Sequence, residues 1–392
     1  MPKSVWALGF VSLFMDTSSE LVHSLLPVFL VSVLGASLTS VGLLEGLAES
    51  TALIVKFFSG TISDWFGRRK PLVLFGYSIS TFTKPFFAIA TTVPMVYGAR
   101  LVDRLGKGVR GAPRDALIAD VTPAHLMGRA YGLRQSLDSV GAVLGPLLAI
   151  LLMSLTKDNI RQVYWFAFIP GLFAVATILF GVKEPAPESV YSSSNKKKIN
   201  YEELKKLPSI FWFAVVVGGL FQLARFSEAF MVLRVKDAGL SLTFVPIVFV
   251  IMNVVYALTA YPVGVLSDKW PRGRFLLASL ILLGISDLIL AYAANTSVAF
   301  VGVVFWGLHL GFSQGVLSSL IADTCPKELR GTGFGFFNLI SAFALLSASI
   351  VAGWLWQFHG ERATFVAGAV LVLVSLLVIW FKGQKFILKE SN

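Results

Sequence analysis

Charge is what this chain has least of. Only 14% of its 392 residues are Asp, Glu, Lys or Arg, and 56% are hydrophobic. Soluble domains carry about 25% charged residues, so this chain cannot cover a water-facing surface of its size. A mean hydropathy of +0.76 places it among polytopic membrane proteins. Cysteine is nearly absent. Cys325 alone excludes an intramolecular disulfide and any cysteine-cluster metal site. Histidines are four and scattered (His23, His125, His309, His359), and no HExxH or GxSxG stands at a suitable place. An intramembrane enzyme lacks its nucleophile–base pair or its metal ligands here, so no enzymatic activity, cofactor or metal is expected. No cleavable signal peptide is evident, because residues 1–10 run straight into a segment long enough to span.

Long apolar segments are what the chain does have. They number about twelve, each near the roughly 20 residues a bilayer needs. The expected spans are 5–33, 40–60, 72–90, 96–118, 132–154 and 163–182, then 208–232, 242–264, 275–294, 299–321, 333–356 and 363–382. The predicted class is an all-α polytopic membrane protein with twelve transmembrane helices. The net charge of +11 would suggest nucleic acid in a soluble chain. Here the basic residues mark alternate loops: Arg68, Arg69 and Lys70; Arg129; Lys269, Arg272 and Arg274; Lys327 and Arg330; Lys382 and Lys385. The opposite loops are mostly poorer in them, with Arg161, Arg234, Lys236 and Arg362 as exceptions. By the positive-inside rule both termini are expected in the cytoplasm, and no nucleic-acid partner is expected. One long polar run, residues 183–207 with Lys196, Lys197, Lys198, Lys205 and Lys206, divides the spans six and six. It reads as a cytoplasmic basic linker, with contact to anionic headgroups as the alternative. The domains are then 1–182, the linker 183–207, and 208–392.

The fourth span departs from the rest. Residues 97–120, YGARLVDRLGKGVRGAPRDALIAD, carry Arg100, Asp103, Arg104, Lys107, Arg110, Arg114 and Asp115. At about 100° per residue these seven fall within an arc of about 140°. A helix that is apolar on one side and cationic on the other sits in a membrane only if the charged side faces water or buried partners. This face is expected to line a translocation pathway. Other intramembrane charges cluster too. Asp16, Glu20 and His23 share one face of the first span, and Glu45, Glu49 and Lys56 share one face of the second. Counting along the helices puts Glu20, Glu49 and Arg104 at comparable depth. Carboxylates there are candidates to load and release a proton, with structural ion pairing to the helix-4 cations as the alternative. The second half is sparser, with Arg225, Glu228, Asp287 and His309. His309 reads as a packing residue, and Arg134 and Asp138 as an i, i+4 pair.

The halves resemble each other. Gly60-Thr-Ile-Ser-Asp64 recurs as Gly264-Val-Leu-Ser-Asp268, and Leu117-Ile-Ala-Asp120 as Leu320-Ile-Ala-Asp323. The aspartates are 204 and 203 residues apart in the two pairs. Two like-oriented bundles related by an axis along the membrane normal can rock about a site held between them. The loop Gly60-Thr-Ile-Ser-Asp64-Trp-Phe-Gly67-Arg68-Arg69-Lys70 matches the loop signature between helices 2 and 3 of the major facilitator superfamily, which the chain resembles over essentially its whole length. The resemblance implies two pseudo-symmetric six-helix bundles and secondary transport. It implies that Gly60, Asp64, Gly67 and Arg68 form a cytoplasmic latch, with Asp268 and Arg272 or Arg274 as counterparts. Arg104-Leu-Gly-Lys107-Gly108 is similar to the family's helix-4 motif, with Lys107 for its Gln, and gives Arg104 a part in proton transfer. Gly141-Ala-Val-Leu-Gly145-Pro146 is similar to the first half of the helix-5 signature of proton-coupled exporters; small residues at that spacing also let helices pack closely.

These features together point to a monomeric transporter of a small organic solute in the cell (inner) membrane. Proton coupling is expected through Asp16, Glu20, Glu45, Glu49 and Arg104. The substrate cavity is expected from Arg100, Arg104, Lys107, Arg110, Arg225 and Glu228, whose cationic excess suits an anionic or amphiphilic solute. If the helix-4 cations are internally paired, a hydrophobic drug-like substrate fits equally. The partial helix-5 motif favours antiport and efflux. Proton symport for uptake of an organic anion is the alternative, and a lipid or amphiphile flippase is a second.

Overall fold

A computed structural model of the chain describes residues 1–66, 68–184, 207–267, 269–326 and 329–382. Among these residues the regular structure is entirely helical. The first six helices are α1 (Lys3–His23), α2 (Leu38–Phe66), α3 (Lys70–Phe82, continued as Lys84–Ile89), α4 (Val93–Asp120), α5 (Met127–Leu155) and α6 (Ile160–Gly181). The next six are α7 (Ser209–Ala224, resumed as Glu228–Asp237), α8 (Ile247–Ser267), α9 (Arg272–Ala291), α10 (Thr296–Thr324), α11 (Arg330–His359) and α12 (Glu361–Lys382). Among the described residues, eleven helical segments are long and apolar enough to cross a membrane. The exception is α4, whose buried charges lower its hydropathy. Large side chains left bare by packing, among them Phe180 and Tyr261, face lipid in such a protein.

Local chemistry sets the helix ends. Asn159 and Asn295 accept hydrogen bonds from the Gln162 and Val298 backbone amides at 3.2 and 3.0 Å, each satisfying one of the orphan donors of a first turn. Gly360 turns the chain between α11 and α12 at φ +85°, a conformation glycine adopts without strain.

Several of the expected spans are interrupted, the third at Thr83 and the first and seventh more widely. The first span, expected over 5–33, is α1 to His23, then a short turn of helix through Pro27 and a π-helical stretch Phe29–Val33. Proline lacks the amide that would continue the α ladder. The seventh span, expected over 208–232, leaves the helix at Arg225–Ser227. Ser227 then caps the new segment, its Oγ accepting from the Ala229 amide at 3.2 Å.

The described residues fall into two compact units. One takes in residues 1–36, Leu47 through 184, and Leu242–Val250; the other takes in Ser37–Gly46, 207 through Ser241, and Ile251 onward. In the first unit α1 packs between α5 and α6, and α3 packs on α4. Its core includes Val5, Leu8, Val11 and Met15 of α1 against Val73, Tyr77, Leu117 and Ile178. Its Leu242–Val250 segment is tied to α5 and α6 by Thr243, which donates to Asp158 at 2.6 Å. In the second unit α9 packs on α10 and α12, and α7 on α11. The start of α2 belongs here because glycines allow backbone contact. A Cβ on Gly42 would collide with the Ser349 carbonyl, and one on Gly353 with the Leu38 carbonyl.

Candidate functional site

The candidate site lies within the first unit and is built on α4. Its cationic face is buried: Arg100, Asp103, Arg104 and Arg110 are each at most 5% exposed. Cations at that depth require partners, and three neighbouring helices supply them. From α2, Glu49 Oε1 stands 3.3 Å from Arg104 Nη1 and 3.8 Å from Arg100 Nη2. From α3, Lys84 Nζ donates to Asp103 Oδ1 at 2.9 Å and to Ser19 Oγ of α1 at 3.2 Å. Arg104 Nε is 3.7 Å from Asp103 Oδ2, so the two acids and three cations form one connected chain. Arg110 donates to Ser80 Oγ and lies 4.5 Å from the centre of the Tyr77 ring, a cation–π contact. Arg114 pairs with Asp115 at 3.0 Å and reaches Tyr77 Oη at 3.4 Å.

Glycine is what lets these helices approach. A Cβ on Gly108 would lie 2.6 Å from Val55 Cβ of α2, and one on Gly106 would lie 2.7 Å from the Gly76 carbonyl of α3. The close contact at Gly108 sets the register that brings Glu49 to Arg104. On the far side α5 meets α1 in the same way. A Cβ on Gly141 would lie 2.5 Å from the Leu13 carbonyl, and one on Gly145 would lie 2.8 Å from the Thr17 carbonyl. Pro146 is buried in the same helix. The helix-5 motif thus presses the backbone that carries Asp16 and Glu20. Glu20 pairs along α1 with His23 at 3.4 Å, whose ring lies 5.0 Å from that of Phe249. Lys107 is exposed, and Asp16, Glu20 and Glu49 all lie within reach of its charge.

The other expected residues distribute differently. Glu45 is 1% exposed and lies in the Ser37–Gly46 segment of the second unit, whereas Glu49 belongs to the first. Arg225 stands at the break of α7 and Glu228 opens its second segment, so the pair expected within one helix flanks an interruption. His309 packs on Ser279, with Nδ1 2.8 Å from its Oγ and 3.0 Å from its carbonyl, as expected of a structural histidine. The Arg134–Asp138 pair forms at 3.2 Å.

Of the residues expected to form a latch, Gly60 and Arg68 are described and Arg68 is exposed. Gly67, Asp268 and the Asp64 side chain lie outside the described residues. The neighbouring arginine makes the ion pair: Arg69 Nε is 3.1 Å from Asp120 Oδ2, and its backbone amide donates to Glu184. In the second unit Arg272 Nη1 stands 3.0 Å from Asp323 Oδ2. The repeated aspartates, read from the sequence as markers of the duplication, thus each pair with an arginine of the basic loop, but one residue out of register, since Arg272 corresponds in the repeat to Arg68 and not to Arg69.

Lys84 is a site residue that sequence reasoning missed. Its signal is plain: one lysine amid 21 residues 70–90 that are otherwise uncharged beyond Lys70. A charge so placed must find a partner or leave the membrane. Asp287 on α9 is fully buried, its carboxyl against the α carbon of Gly368 on α12, with no hydrogen-bond partner among the described residues.

Comparison with known proteins accords with this arrangement. The family model of the Major Facilitator Superfamily matches residues 8–338 and 229–390. An uncharacterised MFS-type transporter of Methanocaldococcus jannaschii is 30% identical over 97% of this chain and 95% of its own length. The multidrug resistance protein MdtH of Photorhabdus laumondii is 23% identical over 93% of this chain and 90% of its own. Among solved structures, a bacterial homologue of the human lysosomal transporter Spinster, inward-facing and occupied, shares the fold at a TM-score of 0.80 and 14% identity, covering 99% of this chain and 98% of its own. A charged, helix-lined site on a duplicated all-α membrane scaffold, a matching family model and relatives of the same length agree: the chain belongs to the Major Facilitator Superfamily of membrane transporters.

Proposed function

We propose that this transporter moves a small amphiphilic organic solute outward in exchange for protons, by alternating access, with Glu49 as the group at which proton and solute compete. The observation that carries this reading is one carboxylate shared by two buried arginines, Arg100 and Arg104. Because Arg100, Arg104 and Arg110 are all engaged within the first unit, the cluster offers less free positive charge than its composition suggests. A solute with an apolar body and a donor or cationic group then competes with a proton for Glu49, and Lys107 is the exposed cation beside it. Competition for one site gives exchange: the two ligands bind in alternation and move in opposite directions. The name of the MdtH relative, a multidrug resistance protein, supports the outward direction. We infer both termini to be cytoplasmic from the distribution of the basic loops, with the inner membrane as the location and the monomer as the working unit.

The same ion pair supports a second reading. If the solute is an anion, protonation of Glu49 frees Arg100 and Arg104 to bind it bidentately. Proton and solute then bind together, and the result is symport. Proteoliposomes with a pH dye in an acid-loaded lumen separate the two. An added amphiphile that draws protons out of the lumen supports exchange, and an added organic anion that acidifies the lumen supports symport. In either case Glu49→Gln silences the signal.

A further inference from the structure

Asp138 pairs with Arg134 along α5, as its spacing predicts, but it also has a neighbour on another helix. Across the α1–α5 contact, the side chain of Asp16 faces that of Asp138. The approach is enforced by the backbone: a Cβ on Gly141, one turn beyond Asp138, would lie 3.1 Å from Asp16 Cβ. Two ionised carboxylates side by side repel each other and, both being acceptors, cannot hydrogen-bond; a proton on one of them relieves the repulsion and supplies the donor. Asp138 Oδ1 also accepts from Arg134 Nη2 at 3.2 Å, which favours the ionised form there and leaves Asp16 as the donor.

The surroundings support a single negative charge. From α4, Lys107 and Arg110 act on Asp16, and Lys107 and Arg114 act on Asp138. Arg114 is itself paired with Asp115, and Arg110 with Ser80 and Tyr77. From its own helix Asp16 has Glu20 one turn on, which pairs with His23. α6, which also packs on α1, contains one charged residue, Arg161, and that side chain is held by the Ala88 and Ala90 carbonyls.

We propose that Asp16 and Asp138 form a carboxylic acid–carboxylate pair that binds one proton between α1 and α5, making Asp138 a proton-site residue. The pair rests on the proton-coupled reading above for its use in transport, though not for its existence. The proton enters as H⁺ from water and leaves the same way, with no other bond made or broken. When it leaves, two carboxylates face each other, and their repulsion falls on the Gly141 contact that holds α1 to α5. Proton loss therefore loosens a helix pair that also carries Glu20.

Infrared difference spectroscopy of the purified full-length protein in nanodiscs, titrated with pH and with no solute present, tests this. Measured in a Glu49→Gln, Asp287→Asn background, which removes the bands of the proposed proton site and of the other buried carboxyl, the expected result is a titrating carbonyl-stretch band of one protonated carboxylic acid that disappears in Asp16→Asn, and disappears equally in Asp138→Asn. Each change leaves a lone carboxylate among cations. Arg134→Gln keeps both acids and retains the band, which guards against loss through misfolding. In that background, a band that survives either Asn substitution, or the absence of any band before they are made, overturns the pair. Proton flux in proteoliposomes is read separately. A titrating pair in a protein that moves no protons leaves the pair standing and removes the transport reading, and flux without the band does the reverse.

Discussion

Lys84 and Asp103 show how a single residue is held in this site. Both are almost fully buried and meet at 2.9 Å. Removing Lys84 leaves buried Asp103 with the longer 3.7 Å contact to Arg104, and breaking a buried pair costs about 3–5 kcal/mol. Lys84→Met is therefore expected to lower the thermal unfolding temperature in detergent markedly, and a second change, Asp103→Leu, to recover much of the loss. An unchanged unfolding temperature in the single variant would contradict the pairing. Glu49→Gln differs. Glu49 is a third exposed, Gln keeps an acceptor there and Asp103 still faces Arg104, so the change is expected to cost less stability than Lys84→Met and to abolish proton-coupled transport. Normal coupling in that variant would reassign the proton. The charges themselves were legible from the sequence, since a polar arc on an apolar helix must face water or buried partners. Which charge meets which was not. The Lys84–Asp103 bond depends on the register of α3 on α4, and that register is set by Gly76 and Gly106, whose small size says only that something comes close.

At the scale of the helix, close approach decides the architecture. Gly145→Leu puts a branched side chain where a Cβ alone would lie 2.8 Å from the Thr17 carbonyl and 2.9 Å from Glu20 Cβ. Overpacking of this kind costs about 1–3 kcal/mol where neighbours can shift; here the obstacle is backbone. The variant is expected to be poorly stable in detergent and inactive, whereas Gly264→Ala, which meets nothing within 4 Å, is expected to be stable. Size-exclusion profiles and unfolding temperatures of the two compare them directly. Hydropathy made the helices visible, but continuity along them was harder to read. The α7 interruption has a signal, Ser227 followed by Glu228, which is a helix start. Inside an apolar run it was outweighed by length. Pro27 in the first span is a similar marker.

Across the whole molecule the duplication is the organising fact, and it was legible from two short motifs at nearly equal offset. The structure adds what the second pair of repeated aspartates meets. Asp120 lies at the C-terminal end of α4 and Asp323 near that of α10, where a helix disfavours negative charge. Arg69 and Arg272 offset that cost at 3.1 and 3.0 Å. Arg69→Asp is expected to destabilise the protein by bringing a further carboxylate to Asp120 and Glu184, and the exchange Arg69→Asp with Asp120→Arg to restore it, since each charge then suits its helix end. Failure of the exchange to recover stability would mean that the pair acts through geometry other than charge. The direction of transport belongs to this scale too, and no single residue displays it. The most direct test is the proton movement that accompanies solute in proteoliposomes of the purified protein. An acid-loaded lumen that loses protons when an amphiphile is added outside, with Glu49→Gln silent, is the predicted result. Solute movement with no proton signal, or with an unchanged signal in Glu49→Gln, would contradict it.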